Sequence, residues 1–211
     1  MNPILLAALI AVSGVGRAAD RKAHEPRDPA AGQPEAPPAE LSDADLRGQI
    51  GAFLGSIDTP IPAAHWRGLG LRAAPILSAL ISDAAQFPTQ RAKAIDGLSA
   101  LRPASAPALF GKLASSEEEP LVVRLAALRG LGEVVPARRL PAALLPLLEG
   151  AKEPAVRAGA AEVLVARAGA CGSLHAQLAR ETEEVRGMFH RSVAGCAERA
   201  KASTAKKASK R

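Results

Sequence analysis

Four side chains able to ligate a metal or change redox state crowd into one short stretch of the chain: Cys171, His175, His190 and Cys196. They include both of its 2 cysteines and half of its 4 histidines. Two thiolates and two imidazoles are the donor set of a Cys2His2 zinc site, and two thiols alone can oxidise to a disulfide. Cys171 and His175 are four apart and share a helix face, as ligands should. His190 and Cys196 are six apart, which at 100° per residue sets them about 120° around a helix and about 9 Å along it. Four ligands at about 2.0–2.3 Å from one ion are hard to assemble from that spacing. A disulfide asks only that the two Cα atoms come within ~7 Å. Three arrangements remain open here: a Cys171–Cys196 disulfide, which the spacing favours, two free thiols, or zinc. His24 and His65 stand alone and read as packed or exposed side chains. No nucleophile elbow, P-loop, dinucleotide fingerprint or HExxH occurs, so neither catalysis nor a cofactor is expected.

The elements that position this cluster are written as a repeat. Arg91, Arg124 and Arg157 are spaced by 33 and 33 residues, as are Leu98, Leu131 and Leu164, and Arg186 follows after a shortened spacing of 29. A period of that length is the signature of stacked supersecondary units. Each unit reads as a helix A followed by a helix B that carries the Arg. The A helices begin near Pro75, Pro107 and Pro141, where proline suits a first helical turn. Pro146 sits deeper and should bend its helix or delay the start. Before them, Ser42 can cap a helix carrying Leu46, Ile50, Phe53, Leu54 and Ile57. The segment Asp58 to Pro62 is a break, and a short helix with Trp66 ends at Gly70. This first pair lacks the Arg and reads as an N-terminal cap. In the last unit Cys171 opens helix A and Cys196 lies near the end of helix B. The ends of an antiparallel pair are neighbours, so a bridge there would close a loop of about 25 residues and stabilise the terminal unit by roughly 3 kcal/mol.

Counted from each Arg, the third and seventh positions are Ala94/Leu98, Ala127/Leu131, Ala160/Leu164 and Phe189/Val193, which share one helical face and predict the core. The sixth column, Gly97, Gly130, Val163 and Ser192, is small in three of four copies and predicts close helix approach. The fifth column alternates in sign through Asp96, Arg129, Glu162 and Arg191. It reads as an exposed ion-pair ladder, worth roughly 0–1 kcal/mol per pair, or as a polar surface that touches a partner. With Lys93 and Glu133, these four residues form the candidate interaction face. Glu117 to Glu119, Glu183 and Glu184 stand at expected helix-B starts, where acids suit the helix dipole.

The segments EEEPLVVRLAALRGLG, EPAVRAGAAEVL and ETEEVRGMFHRSV resemble the acid-x-x-VR-x-x-A pattern of HEAT repeats, specifically the short HEAT-like type named after phycobilin lyases. The resemblance covers about residues 69–197, with 41–68 a weaker copy. It implies an all-α, right-handed α-solenoid of antiparallel helix pairs, HEAT-like or armadillo-type, whose B helices line a concave face used for protein binding. It also implies that the recurrent Arg is structural, bonding to neighbouring turns. The repeat carries no activity with it.

Outside the repeats, residues 1–19 hold an apolar run from Ile4 to Val15 that is too short to span a bilayer. It fits a secretory signal peptide cleaved after Ala18 or Ala19. Residues 20–40 contain five prolines and read as a disordered linker. An export signal and two cysteines point together to an oxidising compartment, periplasmic or extracellular. The formal net charge of the 211 residues is +6, yet six of the 27 Lys and Arg and only one of the 21 Asp and Glu lie in residues 198–211. The rest is nearly neutral, with 21 basic against 20 acidic residues, so no nucleic-acid clamp is expected. The tail itself reads as a disordered or frayed terminus with weak affinity for anionic surfaces. The expectation is therefore an exported, non-catalytic scaffold that binds an unidentified protein, with tail-mediated adhesion as the alternative.

Overall fold

The chain begins its described course at a cap. Ser42 Oγ accepts the Asp45 N–H at 3.2 Å and donates to the Asp45 carboxylate at 2.6 Å, so hydroxyl and acid lock the first turn of α1 (Asp43–Gly55) together. The structure, a computed structural model, describes residues 41–56 and 60–208. The expected export segment (1–19) and linker (20–40) lie outside them, and the residues from Leu41 onward form one compact unit. Every regular element among the described residues is helical. After α1 come α2 (Ala63–Gly68), α3 (Ala73–Ser82), α4 (Pro88–Leu101), α5 (Ala106–Ser115) and α6 (Leu121–Val134). They are followed by α7 (Leu140–Gly150), α8 (Pro154–Val163), α9 (Cys171–Leu178), α10 (Glu183–Arg186) and α11 (His190–Ala208).

Consecutive helices pack in pairs, α3 on α4, α5 on α6 and α7 on α8, while α4, α6 and α8 also pack on one another in series. The columns read from the sequence supply that packing. Ala94, Leu98, Ala127, Leu131, Ala160, Leu164 and Phe189 are all buried. Val193, expected among them, is 43% exposed. A 3-10 turn at Gly187–Phe189 precedes α11; its three residues advance about 120° each instead of 100°, which rotates the helix face. Ser192 and Cys196 are buried in its place.

The small column works differently from the expectation of helix backbones in close approach. A Cβ on Gly97 would lie 2.8 Å from the Trp66 ring, and one on Gly130 would lie 2.8 Å from the Phe110 ring. Both glycines are seats for aromatic rings that the neighbouring helices insert. Val163, the large member of the column, is accommodated in reverse by Gly132 on α6, whose added Cβ would meet Val163 Cγ1 at 2.8 Å. Trp66 also meets Phe53 edge-on, with ring centroids 5.0 Å apart.

The recurrent Arg tethers helix B to the end of helix A. Nε of Arg91 donates to the Ile81 carbonyl at 2.7 Å, that of Arg124 to Ala114 at 3.3 Å, and that of Arg186 to Leu178 at 2.8 Å. Arg157 uses Nη1 instead, donating to the Ala151 carbonyl at 2.8 Å. Each bond satisfies a carbonyl in or just past the last turn, which has no partner inside its own helix. Helix α7 runs through Pro146 without a break, preceded by a 3-10 turn at Ala137–Arg139.

The terminal pair is covalently closed. Cys171 and Cys196 form a disulfide with their Cα atoms 5.7 Å apart, joining the first residue of α9 to α11. Just before it, α8 passes into a π-helical turn, Leu164–Ala168, that stops at Gly169 with φ +68°. Arg199 on α11 donates to the Ala166 carbonyl of that turn at 2.5 Å. The chain from 198 to 208 is helical where a disordered or frayed end was expected, because Ala200, Ala202 and Ala205 favour helix and basic residues suit its C-terminus. None of the described helices is long and apolar enough to cross a membrane.

Candidate interaction groove

Helix B of each pair turns its fifth column to the same side, and there the structure opens a groove of about 720 Å³. Its walls come from α4 (Asp96), α6 (Leu125, Leu128, Arg129, Glu133), α8 (Ala155, Ala158, Gly159, Glu162) and the start of α11 (Arg191), with Arg167 and Met188 at the rim. Ala155, Ala158 and Gly159 keep the α8 wall low because their side chains stop at Cβ or before it. Met188 stands 50% exposed, an adaptable apolar contact.

Charges around this floor are largely paired. Arg191 meets Glu162 at 3.5 Å, the rung expected from the alternating column. Glu133 is shared between Arg102 at 3.5 Å and Arg167 at 3.6 Å. All of these side chains are 44% exposed or more, up to 71% for Arg191, so each contact contributes little to stability. Asp96 and Arg129 both line the groove but make no ion pair with each other among the described residues. Asp96 is open at its surface yet crowded by the helices beside it. Desolvation pushes its carboxyl above the usual carboxylate range, against the smaller opposing pull of Arg129.

Of the six residues chosen from the sequence, the structure brings Asp96, Arg129, Glu133, Glu162 and Arg191 together. Lys93 is elsewhere. Its ammonium donates to the carbonyls of Leu54, at 3.4 Å, and of Ser56, closing the C-terminal end of α1. The wall residues Arg167 and Met188 were missed, since one belongs to the π turn and the other to the 3-10 turn, where helical spacing gives no guide. A second cleft, of about 760 Å³ between α1 and α3, is lined by Asp43, Arg47, Arg72, Ile76 and Leu80 among others. It was not anticipated either, because α1 carries no trace of the Arg register. The α6–α8 groove is the stronger candidate because four helices, α4, α6, α8 and α11, converge there.

The cysteine and histidine cluster resolves into separate roles. Both sulfurs are consumed by the disulfide. His175 is exposed, as is His190, whose Nδ1 lies 3.2 Å from the Gly187 carbonyl. No group of three or more His, Cys, Asp or Glu among the described residues is placed to hold a metal ion. No protein-family model, no curated protein and no solved structure matches this chain.

Proposed function

We propose that this protein is an exported, non-catalytic scaffold of HEAT-like repeats, an α-solenoid of antiparallel helix pairs, that holds a segment of another protein in the α6–α8 groove. The observation that carries this reading is the groove itself: small residues on one wall, the half-buried Leu125 on the other, and charges of both signs at the rim. Such a surface offers apolar contact in its middle and orientation at its edges, as protein interfaces do. The repeated Arg tether and the serial packing of α4, α6 and α8 support the solenoid reading. The disulfide supports an oxidising compartment.

A photo-crosslinking amino acid placed at Ala158 tests the groove, with Glu149 on the exposed end of α7 as the comparison position. Adducts from position 158 alone support the proposal. Equal adducts from both positions, or none, reject it. Recovery of the chain intact from Met1 in the cytoplasm would reject export. The alternative, adhesion to an anionic surface through residues 198–211, predicts that truncation after Ala197 abolishes a salt-sensitive interaction.

A further inference from the structure

The Arg column has a second partner that the carbonyl tethers do not reveal. Arg91 pairs with Glu119: Nη2 donates to Oε1 at 2.9 Å, and Nη1 stands 2.8 Å from Oε2 as an ion-pair contact without a hydrogen bond. Arg157 grips Glu181 with two hydrogen bonds, Nε to Oε1 at 2.5 Å and Nη2 to Oε2 at 2.6 Å. In both cases the acid stands five positions before the next Arg of the column, Glu119 before Arg124 and Glu181 before Arg186. Each buried guanidinium is thus neutralised by a carboxylate delivered from the following repeat.

Arg124 breaks the rule. It is as buried as Arg91, at 6% against 4% exposure. Yet its sole side-chain hydrogen bond is Nε to the Ala114 carbonyl, and no carboxylate of the described residues lies within ion-pair distance of it. The reason is in the sequence. Five positions before Arg157 stands Lys152, a cation. Its ammonium turns away to Glu117 at 2.7 Å, with the Lys152 side chain 81% exposed. The acid of that loop, Glu153, is only four positions before Arg157, one residue out of register. Arg124 is therefore a guanidinium buried along most of its length whose terminal nitrogens bind nothing within the chain and stay open to solvent, where the neighbouring columns hold a carboxylate. A fork of N–H donors matches a carboxylate bidentately, and a carboxylate is the anion that fills this place beside Arg91 and Arg157.

We infer that Arg124 is a receptor for an external carboxylate, supplied by an acidic side chain of a bound protein or by a small carboxylate ligand, in the place that Glu119 and Glu181 fill at the neighbouring repeats. This is independent of the α6–α8 groove, since the Arg column faces the partner A helix and the loops.

The test uses the full chain and thermal melting. Sodium acetate, compared with sodium chloride at matched ionic strength, supplies a free carboxylate. The capped peptide acetyl-Ala-Glu-Ala-amide supplies a side-chain one. In the wild type, one or both are expected to raise the melting temperature by about 2 °C, as a ligand bound only to the folded state does, and the arm that responds identifies the source. Lys152→Glu restores the internal acid. It is expected to melt about 2–4 °C above Lys152→Gln, the control that also loses the Glu117 pair, and to show no acetate or peptide response. Lys152→Gln keeps the response. Equal melting of the two variants, an equal ligand response in wild type and Lys152→Glu, or no response of the wild type to either probe overturns the inference.

Discussion

Arg157 on α8 and Glu181 ahead of α10 meet side-on, with two N–H···O contacts of 2.5 and 2.6 Å, and Gln177 donates to the same carboxylate at 2.6 Å. The guanidinium fork and the planar carboxylate match each other's spacing. One charged pair thus holds the last helix pair to the repeat before it.

Removing the charge of that acid should be costly. The hydrogen bonds from Arg157 hold the Glu181 carboxyl below its ordinary range, helped by Gln177 and opposed by desolvation. A lowered carboxylate stabilises the fold above its unfolded value of about 4.3 and loses that contribution as pH falls through the lower folded value. Glu181→Gln is therefore expected to cost about 1–3 kcal/mol at pH 7. The difference from wild type should shrink below about pH 4. Urea denaturation at pH 7 and pH 3 measures both; an equal difference at the two values would contradict the assignment.

Asp96 should behave in the opposite sense. Its carboxyl is raised by desolvation, so ionisation weakens the folded state at neutral pH. That penalty is relieved as pH falls through the folded value and is gone below about 3.9. Asp96→Asn is expected to melt slightly above wild type at pH 7 and together with it near pH 3. A melting point below wild type at pH 7 would show that attraction to Arg129 outweighs burial.

Gly132 and Val163 form a hole and a knob, and a double-mutant cycle reads their fit. Gly132→Ala is expected to cost about 1–3 kcal/mol by overpacking against the valine. Val163→Ala should cost about 1–2 kcal/mol by leaving space behind. Together they should cost less than the sum by roughly 0.5–2 kcal/mol. Strict additivity in chemical denaturation would mean that the two side chains do not share the space.

The Cys171–Cys196 bridge makes the fourth expectation. Cys196→Ser should lower stability by roughly 2–4 kcal/mol. Thiol titration of the denatured wild type should find no free thiol before reductant and two after it. Free thiols before reduction would remove the bridge from the native molecule.

The repeat register was legible because burial imposes a period: Ala94, Ala127 and Ala160 return at the same step and are all fully buried. The bridge was legible too, since helix-pair ends must be close. What the spacing alone did not convey was which neighbour each column meets. Gly97 and Gly130 receive rings from Trp66 and Phe110, residues outside the helix-B columns. Val193 left its face because three residues of 3-10 turn rotate α11. The acids ahead of each Arg are visible as a motif, but a shift of one residue, from Glu119 to Glu153, decides whether a carboxylate reaches the preceding guanidinium. In the groove, Asp96, Arg129, Glu133, Glu162 and Arg191 follow from periodicity, whereas Lys93 was drawn off by the open end of α1.

The disulfide also determines how the chain carries force. Helix α11 continues past Cys196 to Ala208, so tension applied to its far end passes the Arg199–Ala166 hydrogen bond and then reaches that sulfur, the first covalent branch point. From there it crosses to Cys171, at the root of α9, and short-circuits α10 and the chain between. Glu181, which Arg157 holds from α8, sits inside the shielded loop. A load hung on the C-terminal helix therefore pulls on the junction between α8 and α9, and the last repeat hangs from it unstretched.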